Sequence, residues 1–459
     1  VTRDTPSAMQ TGDQWPTART VLSLAWPMAL KAIILHGTVV IDAYLVAGLG
    51  EVALAAMGLA AAIAGFCLGA ILAFSNAMQI RTAQAAGTGD PVFLKSALGC
   101  GLAINLVVGG VGLALVLLFG GQITAAMAPN AEVATLAASY LAIFSLVFLG
   151  EALGQCLSSY FNGCGRTRLP LYSFCLSLPV NVGTSIVLIH GYLGLPACGV
   201  AGAAMGSVIA VMVQVGFLIV CLSRTERSVV RTSGWRQGRF APTLRRHLAF
   251  ALPIAATFFS ATFAMQVCTL IYASLSLNAF AAMTLIGPWI MVTGTIGMQW
   301  AQATGILVAQ LLGQRQPEPV LDAFLSSAWR GAFAAAALAS LLLGSVCLSA
   351  NLLYPDLNAE TRATLQSFLP ILLLLSFPKG SNAICGNTLR ASGDTLYVMH
   401  IFIWSQWLFR VPATALAVLY LQVPAVWVLS VLLIEELVKF PAFHRRLYKG
   451  DWKRATLAD

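Results

Sequence analysis

Charged side chains are scarce in this chain: of 459 residues only 9% are Asp, Glu, Lys or Arg, while 58% are hydrophobic. A water-soluble fold of that length would have too little polar material to cover its surface, and the mean hydropathy of +0.82 agrees. The bilayer is therefore the solvent. No C-x-x-C pair occurs among the ten cysteines (67, 100, 156, 164, 175, 198, 221, 268, 347 and 385), which mostly fall inside apolar runs. They read as buried packing thiols rather than disulfides or metal ligands. H-E-x-x-H, G-x-S-x-G and clustered acid motifs are also missing, so an enzyme acting in the membrane is not expected. Nor is there a signal-peptide core, because the first apolar run, starting near Thr20, is too long for one; the N-terminus is expected to stay cytoplasmic. A net charge of +9 would suit nucleic acid, but the bases sit in short segments between long apolar stretches and not on one amphipathic face. The expected partners are the lipid bilayer and a small organic substrate, with no nucleic acid, and the chain is expected to be a monomer.

A hydrocarbon core about 30 Å thick needs about 20 apolar residues per helix. Twelve such runs lie near 18 to 47, 53 to 80, 92 to 119, 133 to 160, 168 to 190, 197 to 222, 246 to 275, 279 to 312, 322 to 350, 362 to 388, 395 to 420 and 424 to 445. Several exceed a minimal span, so tilted or kinked helices are expected, with Pro27, Pro179, Pro253, Pro288, Pro370 and Pro378 as candidate kinks. Trp289, Trp300, Trp404 and Trp407 are expected as lipid-facing or interfacial anchors. Every second connection carries bases: Arg81 and Lys95, Arg166 and Arg168, seven arginines from Arg224 to Arg246, then Arg315 and Arg390. The tail adds Arg445, Arg446, Lys449, Lys453 and Arg454. The opposite connections hold Glu51, Glu132, Asp356 and Glu360, with Arg362 as a base. The positive-inside rule then puts both termini in the cytoplasm of a multi-pass protein of a cell inner (plasma) membrane.

The chain also repeats itself. At an offset of 226 residues Pro27 falls on Pro253, Ala55-Ala56-Met57 on Ala281-Ala282-Met283, Ala83-Gln84 on Ala309-Gln310, Gly87 on Gly313 and Pro91 on Pro317. Later in each half the offset is 228, with Gly163-x-Gly165-x-Thr167 facing Ala391-x-Gly393-x-Thr395. Six helices per repeat is an even number, so the halves share an orientation and their axis runs along the membrane normal. The fold class is therefore an all-α integral membrane protein of twelve transmembrane helices in two pseudo-symmetric six-helix lobes. Residues 1–222 form the first lobe, 223–245 a basic cytoplasmic linker, and 246–459 the second lobe with its basic tail. A central cavity is expected between the lobes.

Several segments resemble one family. Pro27 with Asp42-(x)5-Gly48-Leu49-Gly50 and Leu54-Ala55-Ala56 is similar to the first-helix signature of multidrug and toxic compound extrusion (MATE) transporters. Ala83-Gln84-Ala85-Ala86-Gly87-Thr88-Gly89-Asp90 resembles their glycine-rich segment after helix two. Asn181 with Gly199-Val200-Ala201-Gly202-Ala203-Ala204 resembles helices five and six, and Leu389-Arg390-Ala391-x-Gly393-Asp394-Thr395 the segment after helix ten. The resemblance implies a secondary active efflux antiporter, exchanging an outgoing organic solute for inward H⁺ or Na⁺ by alternating access. No other cofactor is implied. A lipid-intermediate flippase of the same wider superfamily is the alternative.

Charges inside the hydrocarbon cost at least ~2.5 to 3.5 kcal/mol on insertion scales, so each is a candidate for function. Asp42, toward the outer end of helix one, matches the family's first-helix acid; a proton or Na⁺ there would remove its charge penalty. Lys31 lies three turns earlier on nearly the same face, about 16 Å away, too far for a direct pair. His36 between them is a candidate relay or a structural histidine. Glu151 in helix four and Lys379 in helix ten occupy pseudo-equivalent positions near the midplane. They would form a salt bridge across the cavity, or divide into a proton carrier and an anion attractor, or each be tied to a neighbouring helix. Arg410 lies about 24 Å in from the cytoplasmic side and Glu435 and Glu436 about 12 Å, so a direct pair needs tilt or water. These three, with Lys31, Asn181 and Lys379, are the substrate-cavity candidates; Asp42, Glu151 and His36 are those for ion coupling. Relative to the Na⁺-coupled members, the helix-seven acid is replaced by Ser260 and the helix-ten acid by Lys379. That departure favours H⁺ and an anionic or zwitterionic substrate, with drug-like solutes as the family's general class.

Overall fold

A computed structural model describes residues 16–355 and 357–454. Asp356 and the first and last residues of the chain, whose side of the membrane the basic segments suggest, lie outside the described residues. α1 Ala18–Ala47, α2 Glu51–Thr88, α3 Pro91–Met127, a bent α4 (Ala131–Phe144 and Leu146–Gly163), α5 Arg168–His190 and α6 Val200–Thr225 form one lobe. α7 Phe240–Tyr272, α8 Leu277–Gly313, α9 Glu318–Leu348, α10 (Ala359–Ser367 and Leu369–Ala391), α11 Thr395–Tyr420 and α12 Ala425–Tyr448 form the other. Ten of these helices are long and apolar enough to cross a membrane, and the α4 pair, bent by 41°, makes an eleventh. α12 is the twelfth; Glu435, Glu436 and Lys439 within it make it less apolar than the others.

The differences from the expected spans have local causes. α2 runs on past residue 80 to Thr88, because nothing breaks it before Gly89, whose φ of +69° makes the left-handed cap. Arg81 is thereby buried inside a helix and not in a connection. Its repeat partner position uses the same turn without glycine, with Arg315 at φ 54°. In the linker, α6 extends to Thr225, a single turn covers Arg227–Arg231, and α7 starts at Phe240. The Arg166–Glu226 pair at 2.6 Å and the Lys95 Nζ bond to Thr232 O at 2.6 Å hold that linker to the ends of α4 and α3. Burial raises the Glu226 carboxyl above the usual range, and Arg166 opposes the shift. Pro370 is not inside a helix turn but directly after the break at Phe368, where its missing N–H leaves no bond unmade. Pro27, Pro179, Pro253, Pro288 and Pro378 do lie within helices. Trp300 is no lipid anchor: it is buried, donates to Ala328 O at 2.9 Å and lies flat against Gly331. Cys175 is exposed, unlike the buried Cys100, Cys156, Cys268, Cys347 and Cys385.

The buried apolar side chains fall into clusters that differ between the two ends of the molecule. Val21, Leu24, Ala25 and Met28 of α1 and Ala77, Ile80 and Ala83 of α2 share one cluster with Ala251 and Ile254 of α7 and the second half of α8. All of these lie toward the end that carries the basic segments. At the opposite end each lobe has its own core, around Met57, Phe148 and Ile189 in one and Tyr272, Phe368 and Leu429 in the other. The lobes are thus fused at the basic end and separately packed beyond it.

The fusion is a helix crossing that the repeat makes symmetric. A Cβ on Gly313 would stand 2.6 Å from Gln84 O and 2.9 Å from Gly87 Cα, and one on Gly87 would overlap the Gln310 carbonyl. Only glycine on both helices permits that backbone contact. Beside it Gln84 Nε2 donates to Ala391 O at 2.8 Å and Gln310 Nε2 donates to Gly163 O at 2.8 Å. Each lobe's glutamine therefore bonds the other lobe's carbonyl at the end of α4 or α10. Arg81 Nη1, donating to Gln84 Oε1 at 3.0 Å, fixes one of the two amides. Two neutral hydrogen bonds are worth about 2 kcal/mol together, so losing both shifts the closed-to-open ratio by about thirtyfold. The double variant Gln84→Ala, Gln310→Ala is expected to lengthen the distance between spin labels placed at Thr88 and Gln314. An unchanged distance distribution in lipid would show that the glutamines do not hold this end shut.

Candidate functional site

α1 carries the first group of charges because it lies between the lobes, packed against α2, α5 and α8. Lys31 Nζ is 3.3 Å from Gln155 Oε1 and 4.8 Å from the centre of the Phe174 ring. Gln155 Nε2 in turn donates to Glu151 Oε2 at 2.8 Å. The amide presents its oxygen to the cation and its nitrogen to the anion, so a Lys–Gln–Glu chain ties α1 to α4. Lys31 thus meets a carboxylate, one residue removed. Asp42, half-buried, is different: its Oδ1 is buried with no hydrogen-bond partner among the described residues. The Tyr140 side chain is within electrostatic reach of it. Asn181 donates to Ser207 Oγ at 3.2 Å, and its Oδ1 is likewise buried and unpartnered. Both orphan oxygens are acceptors awaiting a donor or a cation. His36 is exposed and makes no hydrogen bond among the described residues, so the structure does not join it to Lys31 or Asp42.

The second lobe holds a denser group. Glu435 and Glu436 face Lys439 at 3.2 and 2.8 Å, and Arg410 Nε is 3.8 Å from Glu435 Oε2. Asn382 donates to Glu436 Oε2 at 2.9 Å and to the Glu436 carbonyl at 2.8 Å. The depth mismatch expected between Arg410 and the acids does not keep them apart: α12 runs on to Tyr448, past the expected end near 445, so the acids lie deeper than expected, and the long Arg and Glu side chains span the rest. Arg410 also donates to Met265 Sδ at 3.0 Å. Ser260, expected to align with the helix-seven acid of Na⁺-coupled members, donates to Gln406 Oε1 at 2.6 Å and accepts from Trp407 Nε1 at 3.0 Å. These uncharged hydrogen bonds join α7 to α11.

Lys379 stands apart. It lines a cavity between α8, α9 and α10 with Thr293, Gly297 and Ser376, and a Cβ on Gly294 would come within 3.1 Å of its Nζ. Glu436, Glu435, Lys439 and Arg410 all lie within electrostatic reach of it, but it has no ion pair of its own among the described residues. Three cations and two acids therefore occupy this region. No ion pair joins Lys379 to Glu151 among the described residues; each belongs to its own lobe.

A family model named MatE matches residues 27–187 and 253–416, one stretch in each lobe. The chain belongs to the MATE family. It is 27% identical over 404 residues to a protein named probable multidrug resistance protein NorM from Bradyrhizobium diazoefficiens, covering 85% of this chain and 84% of that one. A protein of the same name from Rhodopseudomonas palustris is 29% identical over 237 residues, 51% of this chain and 49% of that one. Among solved structures, a MATE protein in a bent conformation superposes with a TM-score of 0.82 at 18% identity, covering 96% of this chain and 98% of that one. An outward-facing multidrug resistance MATE transporter gives 0.81 at 17% identity over 96% and 97%. A superfamily transporter from Pyrococcus furiosus, described as having a binding pocket of reverse polarity, gives 0.78 at 18% identity over 94% and 96%. This MATE chain is a multi-pass membrane transporter of two six-helix lobes.

Three residues of these networks escape a search for isolated charges. Gln155 and Asn382 are uncharged, and Lys439 matters through the two acids it neutralises. The available signal is helical spacing: Gln155 is four residues after Glu151, and Lys439 three and four after the two acids. Removing one partner of a buried ionic group costs about 3–5 kcal/mol, because the other charge stays behind. Lys439→Met is expected to lower thermal stability in detergent by that order, and Lys439→Met combined with Glu436→Gln to recover part of it. Equal melting of Lys439→Met and the parent protein would place the neutralising charge elsewhere.

Proposed function

We propose that this MATE transporter is an H⁺-coupled efflux antiporter that exports an anionic or zwitterionic organic solute by alternating access. The observation that carries the reading is the Asp42 Oδ1, buried in the lobe opposite Lys379, neither of the two having a partner among the described residues. A buried carboxylate lacking a donor favours the protonated form, so binding and release of H⁺ at Asp42 changes the charge of that lobe. Na⁺ asks for several oxygen ligands, and in the second lobe the two acids are already taken up by Lys439, Arg410 and Asn382. The surplus cation there supports recognition of a solute bearing an acidic group. Its relatives' names, probable multidrug resistance proteins, support export of drug-like solutes as the general class.

In this reading the basic end is cytoplasmic, and the described arrangement is the one open to the outside of an inner membrane. A proton reaches Asp42 from that side, the α2–α8 crossing opens, and solute enters from the cytoplasm. Both lobes of the cavity come from one chain, so a monomer suffices.

Asp42→Asn fixes the neutral form and is expected to abolish efflux driven by a pH gradient in proteoliposomes while the protein still elutes as a single folded species. Transport at the parent rate would remove Asp42 from coupling. Lys379→Glu is expected to weaken binding of an anionic solute roughly tenfold, the weight of one charge-assisted hydrogen bond of about 1.5 kcal/mol, and to improve that of a cationic one. Calorimetry in which the charge preference stays the same would take Lys379 out of the substrate site.

A further inference from the structure

A groove runs between α9 and α12 with α10 as its floor, on the side of α10 opposite α8. Because α8 packs on α1 and α2, this groove opens away from the other lobe, toward lipid. Its two parts meet at Phe333, Ser381 and Phe440. Toward the membrane centre the lining is apolar, with Phe377, Pro378, Leu437 and Pro441. Toward the basic end it becomes polar, with Arg330, Tyr448, Trp452 and the Asp322–Lys453 pair at 2.6 Å.

The polar groups of the floor are already satisfied. His444 Nε2 is 2.9 Å from Ser381 Oγ, its Nδ1 is 2.8 Å from Phe440 O, and its ring stacks on Phe440. Lys453 is held by Asp322. Arg330 is not: it is exposed on a transmembrane helix and has no ion-pair or hydrogen-bond partner among the described residues. An arginine facing hydrocarbon must snorkel to the interface or find an anion.

We propose that this groove binds an anionic phospholipid, with the phosphate on Arg330 and an acyl chain along Phe333, Leu437 and Phe440. The two ends match the two ends of such a lipid: an apolar trough, then a cation and two aromatic side chains suited to the interface. A free inorganic anion would use only Arg330 and leave the apolar trough uncovered. A neutral lipid would fill the trough and leave Arg330 unpaired. α12 also carries Glu435, Glu436 and Lys439, so a lipid seated against its outer face contacts the helix that holds the charged group of the second lobe.

The test is lipid retention by the full chain, extracted from vesicles containing equal phosphatidylglycerol and phosphatidylcholine and read by native mass spectrometry. The parent protein is expected to retain phosphatidylglycerol preferentially. Arg330→Gln is expected to lose that preference by roughly fivefold, the weight of one basic side chain at an anionic membrane surface, and Arg330→Lys to keep most of it. Leu437→Trp, which fills the trough, is expected to reduce retention of both lipids, and inorganic phosphate is expected not to compete. Equal preference in the parent and Arg330→Gln proteins overturns the proposal, as does displacement of the lipid by inorganic phosphate. Monodisperse elution of each variant separates loss of lipid from loss of fold.

Discussion

Everything in this molecule depends on how closely α2 and α8 approach at the basic end. With glycine at 87 and 313, the two backbones touch, and the glutamines three residues earlier are brought within reach of carbonyls in the opposite lobe. Any side chain at either glycine would push the helices apart and break both bonds. Because the contact sits at one end, the lobes can share a core there and keep separate cores at the other end. An alternating-access transporter needs a hinge region that is rigid within each lobe and separable between them, and this crossing has both properties.

The scaffold is duplicated while the charges are not. Pro27 and Pro253, Gly87 and Gly313, and Gln84 and Gln310 occupy the same places in the two lobes, since they build the shared frame. Lys31 has Thr257 as its counterpart, Asp42 has Cys268, and Glu151 has Lys379. The first lobe consequently holds an unpartnered acid and an internally balanced Lys–Gln–Glu chain. The second holds a network in which cations outnumber acids. On the proposed reading, a protonation event in one lobe and anion binding in the other would act on different lobes, and their coupling would pass through the relative position of the two.

Much of the frame is legible in the sequence because long apolar runs and a repeat that shifts by only two residues leave little freedom. The ends of α1, α5 and α11 follow directly from where hydrophobicity stops. The end of α2 does not, since Arg81 looks like a loop residue until its burial between Phe93 and Phe250 is seen. The charged positions are equally visible, whereas their partners are not. Arg410 meets Glu435 across two helices, a contact that no hydrophobic pattern encodes. Gln155 and Asn382 belong to charged networks without carrying charge, so a reading that ranks residues by charge passes over them.

The strength of the basic-end contact bears on how transport is driven. Two neutral hydrogen bonds and one glycine contact are a weak lock beside the several kcal/mol that an unpaired charge in a bilayer commands. A lock of that size holds the resting protein closed, yet a change of one charge at Asp42 is large enough to overcome it, provided the two states differ in how they solvate that carboxylate. A ligand or proton that interacted equally with both states would move nothing. On the proposed reading, the Asp42 carboxylate and the glutamine pair belong together: the first would supply a state-dependent energy, and the second a bias toward the closed basic end small enough for that energy to reverse.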